Sequence, residues 1–324
     1  MPGARIALLR TLADGNVRSA SQLALGAACS PLEIRQRIAL LRDLGAEIKT
    51  VHGRGYRMVA PFAALESEKI AARLDPSVDL QLLDETDSTN GVLLREAADR
   101  SMCPKSGRAC IAELQTGGRG RRGRTWFSVP GASLAFSMLW RFERPLEFLA
   151  GLSLAAGVSV VRVMHRIGAE EVRLKWPNDV VNRHRKLAGI LVETQGANSG
   201  PSIAVVGVGI NLRLPTAVRE RIDQAVTDVA AAVPELPERN EFAALLLNEL
   251  AVVLDEFALN GFTALREEWA ALHSYQGQAV RMHCGSNEAV TGRVTGVAPD
   301  GALLVATSSG EQRFYSGEIS LRAA

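Results

Sequence analysis

Residues 117–126 read GGRGRRGRTW, and no other segment constrains the fold so tightly. Four glycines (Gly117, Gly118, Gly120, Gly123) are interleaved with four arginines (Arg119, Arg121, Arg122, Arg124), and no acid stands among them. The preceding stretch, 109–114, is apolar enough for a strand. In the following one Leu134, Phe136, Met138 and Trp140 fall on one face of a second strand. The tract is therefore a loop between two sheet strands. Its glycines let backbone N–H groups approach closely, and its guanidinium forks suit an anion such as phosphate or carboxylate. Taken alone, it also fits a flexible basic segment that touches RNA or nothing.

At 324 residues, with 47% hydrophobic and 22% charged residues, the chain has material for two or three domains with real cores. The net charge of +2 is unevenly spread. Residues 1–60 hold nine Lys/Arg against four Asp/Glu (+5), and the remaining 264 hold 28 against 31 (−3). A basic head on a mildly acidic body points the head toward a polyanion. Cys29, Cys103, Cys110 and Cys284 lack CxxC or Cys/His ligand spacing, so reduced thiols in a cytoplasmic protein are expected. No signal peptide is expected at the N-terminus. The longest apolar run, 149–161, is interrupted by serine and glycine and is too short for a bilayer. It reads as a buried helix, and no membrane partner is expected.

The first sixty residues predict short helices followed by a hairpin. Ser19 can N-cap a helix ending near Gly26, and Ser30-Pro31 followed by Glu33 has the N-cap, N1 and N3 chemistry of a second. That helix carries Ile34, Ile38 and Leu41 inward and stops at Gly45. Residues 47–51 and 56–59 flank His52 to Gly55 as a hairpin. This is the order of a winged helix-turn-helix, with Arg35, Gln36 and Arg37 on the exposed helix face and Arg54 and Arg57 on the wing. Glu33 would repel DNA phosphate. A purely structural or dimerising cap is the alternative.

Pro61 and a polar helix over 65–74 mark a linker. From about Leu80 to Leu272 the pattern is mixed: strands at 109–114, 133–140, 172–175, 187–193 and 203–208, helices at 90–100, 149–166 and 241–259. Residues 180–181 and 187–192 suggest a hairpin about 182–185. From Gln278 the period changes to four short strands (279–283, 289–297, 303–306, 312–315) with turns at 285–287, 299–301 and 308–310, the pattern of a small β-barrel.

Four clusters accompany the glycine–arginine loop. Asp87-Ser88-Thr89-Asn90 sits at a strand-to-helix junction, where it caps the helix or holds a polar ligand. Lys175-Trp176-Pro177-Asn178-Asp179 gathers a lysine, an amide and a carboxylate around a proline turn, which suits polyphosphate and a hydrated Mg²⁺. Lys186 opens the apolar KLAGILVE, and Gly207-Val208-Gly209-Ile210-Asn211 ends another strand with small residues. In order and spacing DSTN, AELQTGGRGRRGRTW, KWPNDV, KLAGILVE and GVGIN resemble the biotin–protein ligases. With the N-terminal unit and the terminal GEISL (317–321), the chain is similar to the bifunctional kind that also represses the biotin operon. The resemblance runs from residue 5 to residue 322.

The resemblance implies an α+β chain: residues 1–62 a winged helix-turn-helix DNA-binding domain, 63–272 a mixed-sheet ligase domain, 273–324 an SH3-like β-barrel. It implies that ATP and biotin give biotinyl-5′-AMP and that a lysine of a biotin carboxyl carrier protein takes the biotin. Ser88, Thr89, Asn90 and Gln115 would hold biotin, with Arg119, Gly120 and Arg121 closing over it and Lys186 at its carboxylate. Lys175, Asn178 and Asp179 would meet phosphates and Mg²⁺ (Asp179 through water), Arg122 and Arg124 would steer the anion, and Gly118, Trp126 and Asn211 would touch the adenylate. Arg121, Lys186, Lys175 and Asp179 would carry catalysis. A homodimer with adenylate bound and biotin-operon DNA complete the implied partners. One departure stands out. Some relatives present a tryptophan to adenine from the loop after GIN, whereas the gapless position here is Val226, which leaves Leu212, Leu214 or Trp126. Two alternatives are a lipoate–protein ligase and a DNA-binding biotin sensor without ligase activity.

Overall fold

The computed structural model of the protein describes residues 3–59, 62–99, 101–196, 200–284, 288–315 and 319–323. Pro61, the turn at 285–287, and Gly317 and Glu318 of the terminal GEISL lie outside the described residues, as does the side chain of Cys284. Three helices, α1 (Ala4–Leu12), α2 (Ala20–Gly26) and α3 (Pro31–Asp43), precede an antiparallel hairpin of β1 (Ile48–Val51) and β2 (Gly55–Met58). Ser19 with Gln22 and Ser30 with Glu33 form capping boxes, each worth about 1 kcal/mol of helix stability. Glu33 is thus occupied by the cap, its carboxylate held below the usual range by the Ser30 N–H and hydroxyl. Ile34, Ile38 and Leu41 pack against Ile6, Leu9 and Leu12 as the periodicity predicts. Arg35, Gln36, Arg54 and Arg57 are exposed and Arg37 is half-buried.

Among the described residues the linker holds one short helix, α4 (Ser67–Ala71). Beyond it come β3 (Asp79–Thr86), α5 (Thr89–Ala98), β4 (Arg108–Gln115), β5 (Ser133–Phe142), α6 (Leu152–Arg166), β6 (Val172–Lys175), β7 (Asp179–Asn182), β8 (Arg185–Gly196), β9 (Ser202–Asn211), α7 (Thr216–Arg219), α8 (Arg239–Asn260) and α9 (Arg266–Leu272). The strands form one seven-stranded sheet in the order β3-β4-β5-β9-β8-β7-β6. Only β3 and β4 run parallel, joined through α5; the other pairs are antiparallel. Helices α6 and α8 cover one face, where Leu134, Phe136, Met138 and Trp140 enter the main core together as their alternation requires. Within the 21 residues from Leu146 to Arg166 a window of 18 residues has a mean hydropathy of 1.7, enough in length and composition to cross a membrane. Here most of that segment is buried between α8 and the sheet, which accounts for its apolarity.

Beneath the opposite face α5 packs Leu93 on Cys110, Leu139 and Val205. A buried pair, Glu113 with Arg239 at 2.6 Å, pins the linker: Glu113 accepts from the Leu65 and Gly131 amides, and Arg239 donates to Ala63 and Ser133 carbonyls. Removing one partner of such a pair costs about 3–5 kcal/mol, because the other charge is left buried. The N-terminal unit rests on the body through Arg5 with Glu85 and Arg10 with Asp84.

The last segment is a five-stranded antiparallel sheet, β10 (Ala279–Cys284), β11 (Glu288–Val297), β12 (Leu303–Thr307), β13 (Gly310–Phe314) and β14 (Ile319–Ala323), ordered β13-β12-β11-β10-β14. The sequence reading had four of these strands. The fifth, β14, closes the outer side of β10.

Candidate active site

The helix α5 leaves part of its sheet face uncovered beyond its N-terminus, and a cavity of about 600 Å³ opens there. Ser88, Thr89, Asn90, Gln115, Arg119, Gly120, Arg121, Arg122, Arg124, Trp126, Lys175, Asn178, Asp179 and Lys186, drawn from distant segments, all line it. Its floor is glycine. A Cβ at Gly207 would fall 2.2 Å from Asn90 Oδ1, and one at Gly209 would fall 2.3 Å from the Trp126 ring. Glycine within a strand here marks close approach of another group to the backbone.

One end of the cavity is a chain of buried polar groups. The Thr89 amide and hydroxyl both donate to Gln115 Oε1, at 2.8 and 3.0 Å. Ser137 Oγ, on β5, lies 2.7 Å from Thr89 Oγ1 and 2.6 Å from Asn90 Oδ1. Asn90 Nδ2 donates to Glu193 Oε2 at 2.8 Å and to the Leu191 carbonyl at 3.3 Å. Ser88 Oγ accepts from the Gly91 amide and caps α5. Asp87 faces outward, and the Arg95 guanidinium, bidentate at 2.9 and 3.0 Å, holds its carboxyl well below the usual range. A network satisfied in this way fixes rotamers before any ligand arrives.

The other end is cationic. Lys186 Nζ pairs with Asp179 Oδ1 at 2.8 Å and sits 5.9 Å from the centre of the Trp126 ring. Residues 118–126 fold back as a small hairpin, with Gly120 N–H donating to Arg124 O at 2.7 Å and Trp126 N–H to Gly118 O at 2.9 Å. At its tip Arg122 adopts φ 59° and Gly123 φ 70°, the left-handed region. Arg121 Nη1 crosses the cavity to Asn178 Oδ1 at 3.2 Å, and Arg119 reaches Glu193 at 3.4 Å. Burial, and then the charges of Arg122 and Arg124, lower the Arg121 guanidinium from its ordinary value, while Asp179 opposes them. A cation so placed gains when an anion enters.

Two residues singled out in the sequence do not line the cavity. Gly118 braces the hairpin, where a Cβ would fall 2.7 Å from the Trp126 carbonyl. Asn211 is buried, its amide donating to Thr227 O at 3.0 Å, so it ties the end of β9 to the next loop. Of the adenine-stacking candidates, Leu212 and Leu214 are buried in cores and do not line the cavity, whereas Trp126 does; Val226, at the gapless position, is buried behind the cavity wall of Phe127 and Ile222. Sequence reasoning missed Ser137, Glu193 as a partner of the hairpin, and the wall formed by Phe127, Arg221, Ile222, Asp223 and Gln224. Arg221 stacks 5.2 Å from the Phe127 ring and donates to Asp43 O at the end of α3, so this wall also touches the N-terminal unit. A buried-strand serine among the apolar residues of β5 was the available signal for Ser137. None existed for the wall.

Residues 82–211 match the Biotin/lipoate A/B protein ligase family, and residues 275–322 match the Biotin protein ligase C terminal domain. The chain is 38% identical over 317 residues to Bifunctional ligase/repressor BirA of Escherichia coli strain K12, covering 98% of this chain and 97% of that protein. It is 34% identical over 228 residues to Biotin--[acetyl-CoA-carboxylase] ligase of Mycobacterium tuberculosis, covering 69% of this chain and 82% of the relative. Among solved structures, biotin protein ligase from Aquifex aeolicus in complex with biotin and ATP superposes with a TM-score of 0.63 at 30% identity, over 76% of this chain and 99% of that one. Full-length similarity to the ligase/repressor, a matching ligase core and a matching C-terminal segment lead to one conclusion: the chain belongs to the biotin–protein ligase family.

Proposed function

We propose that the chain joins biotin to a lysine of a biotin carboxyl carrier protein at the expense of ATP, through biotinyl-5′-AMP, and that its N-terminal unit represses the biotin operon. Residues 1–62 are the winged helix-turn-helix, with Arg35, Gln36, Arg37 and Arg54 toward DNA; residues 63–272 are the catalytic domain; residues 273–324 are the SH3-like barrel. The observation that carries the reading is a cavity that joins a preorganised polar end to a cationic end.

Each half has its task. The biotin heterocycle, a flat ring of amide-like donors and an acceptor, meets Ser88, Thr89, Asn90 and Gln115, whose hydrogen bonds are already set. Its carboxylate points to Lys186, which gives up part of its hold on Asp179. Lys175, Asn178 and Asp179 receive the triphosphate, and Arg119, Gly120 and Arg121 fold over the new phosphate ester while Arg122 and Arg124 draw in anions. Two anions must meet, so cations placed beforehand supply most of the rate. The adenylate hydrolyses readily, and the arginine hairpin excludes water from it. Trp126 and Phe127 offer the aromatic surface for adenine. Among the described residues there is no group of three or more His, Cys, Asp or Glu able to hold a metal. Asp179 therefore fits a hydrated Mg²⁺ carried in on the triphosphate, bound through water, better than a resident ion. Three described cysteines are free thiols, consistent with a cytoplasmic protein. A homodimer forms once adenylate is bound, and no membrane is involved.

The test is direct. Purified protein incubated with ATP, Mg²⁺, biotin and a carrier domain should biotinylate the carrier, and lipoate in place of biotin should give no product. Biotin-free carrier, or equal labelling with lipoate, would overturn the assignment.

A further inference from the structure

Trp176 lies between Lys175 and Pro177, is 1% exposed, and lines the back of the cavity. It is gripped from behind by the C-terminal third of the chain. Its backbone N–H donates to His273 Nε2 at 3.4 Å, and its indole N–H donates to the Gly301 carbonyl at 3.1 Å. The flanking Leu174 carbonyl accepts from the Ser274 amide at 2.7 Å. On the other side of the turn Ser153 Oγ donates to the Pro177 carbonyl at 3.2 Å. His273 itself is 4% exposed and stacked on Trp269, centroids 4.6 Å apart and planes 24° from parallel.

The imidazole has an unusual bonding balance. To accept from Trp176 at Nε2, the ring must carry its proton on Nδ1. That Nδ1 is buried and finds no partner among the described residues. A leucine of similar volume would remove that unpaired donor but leave the buried Trp176 N–H without its acceptor, so one unsatisfied donor replaces another. Stability alone is therefore close to balanced between the two side chains; what the histidine adds is the acceptor at Nε2. The opposite tautomer, or the protonated ring, would set N–H against N–H at Trp176. Burial pushes the imidazole down to about 3, which keeps it neutral and accepting.

We infer that His273 is a positioning residue for the nucleotide half of the reaction: by holding the backbone at Trp176 it fixes how Lys175, Asn178 and Asp179 present themselves to the polyphosphate. The inference rests on the assignment of that turn to ATP. It also makes the packing of the C-terminal segment against the turn, through His273, Ser274 and Gly301, part of the adenylation site rather than an appended module. Gly301 suits this contact, since a Cβ there would fall 2.8 Å from the Gly151 backbone and push the segment off.

Full-length His273→Leu, His273→Gln and Asn178→Ala, compared with wild type in steady-state adenylation, provide the test. His273→Leu, which exchanges an unpaired Nδ1–H for an unpaired Trp176 N–H, should melt within a few degrees of wild type yet raise the KM for ATP about tenfold, with the KM for biotin changed less than about twofold. His273→Gln, whose side-chain oxygen can stand where Nε2 stands, should bring the KM for ATP back to within about threefold. Asn178→Ala should also raise the KM for ATP. The inference is overturned if His273→Leu has a wild-type KM for ATP while Asn178→Ala does not, if both substrates' KM values rise together, or if His273→Gln behaves like His273→Leu. An unaltered KM for ATP in Asn178→Ala would instead defeat the nucleotide assignment of the turn. Should His273→Leu fail to fold, His273→Met against His273→Gln makes the same comparison.

Discussion

The two loops that bring charge to this cavity are held in opposite ways. Trp126 anchors the base of the hairpin at 118–126, its ring seated against Gly209 and beside Lys186, while the rest of the hairpin reaches the site through Arg119 to Glu193, with the arginine 53% exposed, and Arg121 to Asn178. The exposed Arg119–Glu193 pair is worth about 0–1 kcal/mol, and the half-buried Arg121 makes one hydrogen bond to a neutral amide, so little opposes the lifting of the tip. The turn at 174–179 is bound from behind by His273, Ser274, Gly301 and Ser153, around a tryptophan that is 1% exposed. The difference teaches a division of labour. Charges that must be aimed at developing negative charge belong on a part that cannot relax, while a cover for an unstable intermediate must open twice in each cycle.

The comparison can be broken by variants that affect the two loops differently. The largest effect belongs to the fixed turn. Lys175→Met should lower kcat/KM for adenylation by roughly 10²–10³-fold while leaving the release rate of preformed adenylate near wild type, measured by pyrophosphate exchange and by filter retention. A faster release would mean that the turn also works as a lid. Next comes the hairpin. Arg121→Gly should form biotinyl-AMP but let it escape roughly ten- to a hundredfold faster, so that exposed lysines of bystander proteins become labelled. A variant that retains adenylate as tightly as wild type would remove the covering role.

The smallest effect concerns acid stability. Burial lowers the folded-state pKa of His273 to about 3, against about 6.5 for an unfolded histidine. The unfolded chain therefore takes up a proton that the folded chain refuses. The associated loss of stability begins as pH falls below about 6.5 and grows until about pH 3, and it is absent above that window. Thermal melts at about pH 7 and about pH 5 should show wild type losing a few degrees more than His273→Leu, other titrating groups being common to both. Identical losses would mean that the ring is protonated or solvated in the folded protein.

Legibility in the sequence followed locality. Capping at Ser19 and Ser30, the alternation of β5, the DSTN junction and the arginine loop are all encoded within ten residues or so, and the cavity-lining side chains outside the wall at 221–224 and Phe127 were named mainly from such runs. The edge strand β3 was implied by the junction at Asp87 but its extent escaped, because DLQLLDET is half-buried and laden with acids, leaving no clean alternation. β14 escaped because its pairing partner β10 lies some forty residues away. The support of the turn was invisible for the same reason. Trp176 reads as a core residue, and nothing near it announces that its N–H depends on a histidine at position 273 or its indole on a carbonyl at 301. The glycines of GVGIN were legible as small residues, but their purpose needed the Trp126 ring and the Asn90 amide in place above them.

Amide hydrogen exchange of the whole protein, with and without ATP, Mg²⁺ and biotin together, tests the contrast between the two loops most directly. The account predicts that amides across 117–126 exchange readily in the free protein and become strongly protected when adenylate forms, while the Trp176 segment is protected in both states. Protection of 117–126 without ligand, or protection of the Trp176 segment that appears only with ligand, would contradict it.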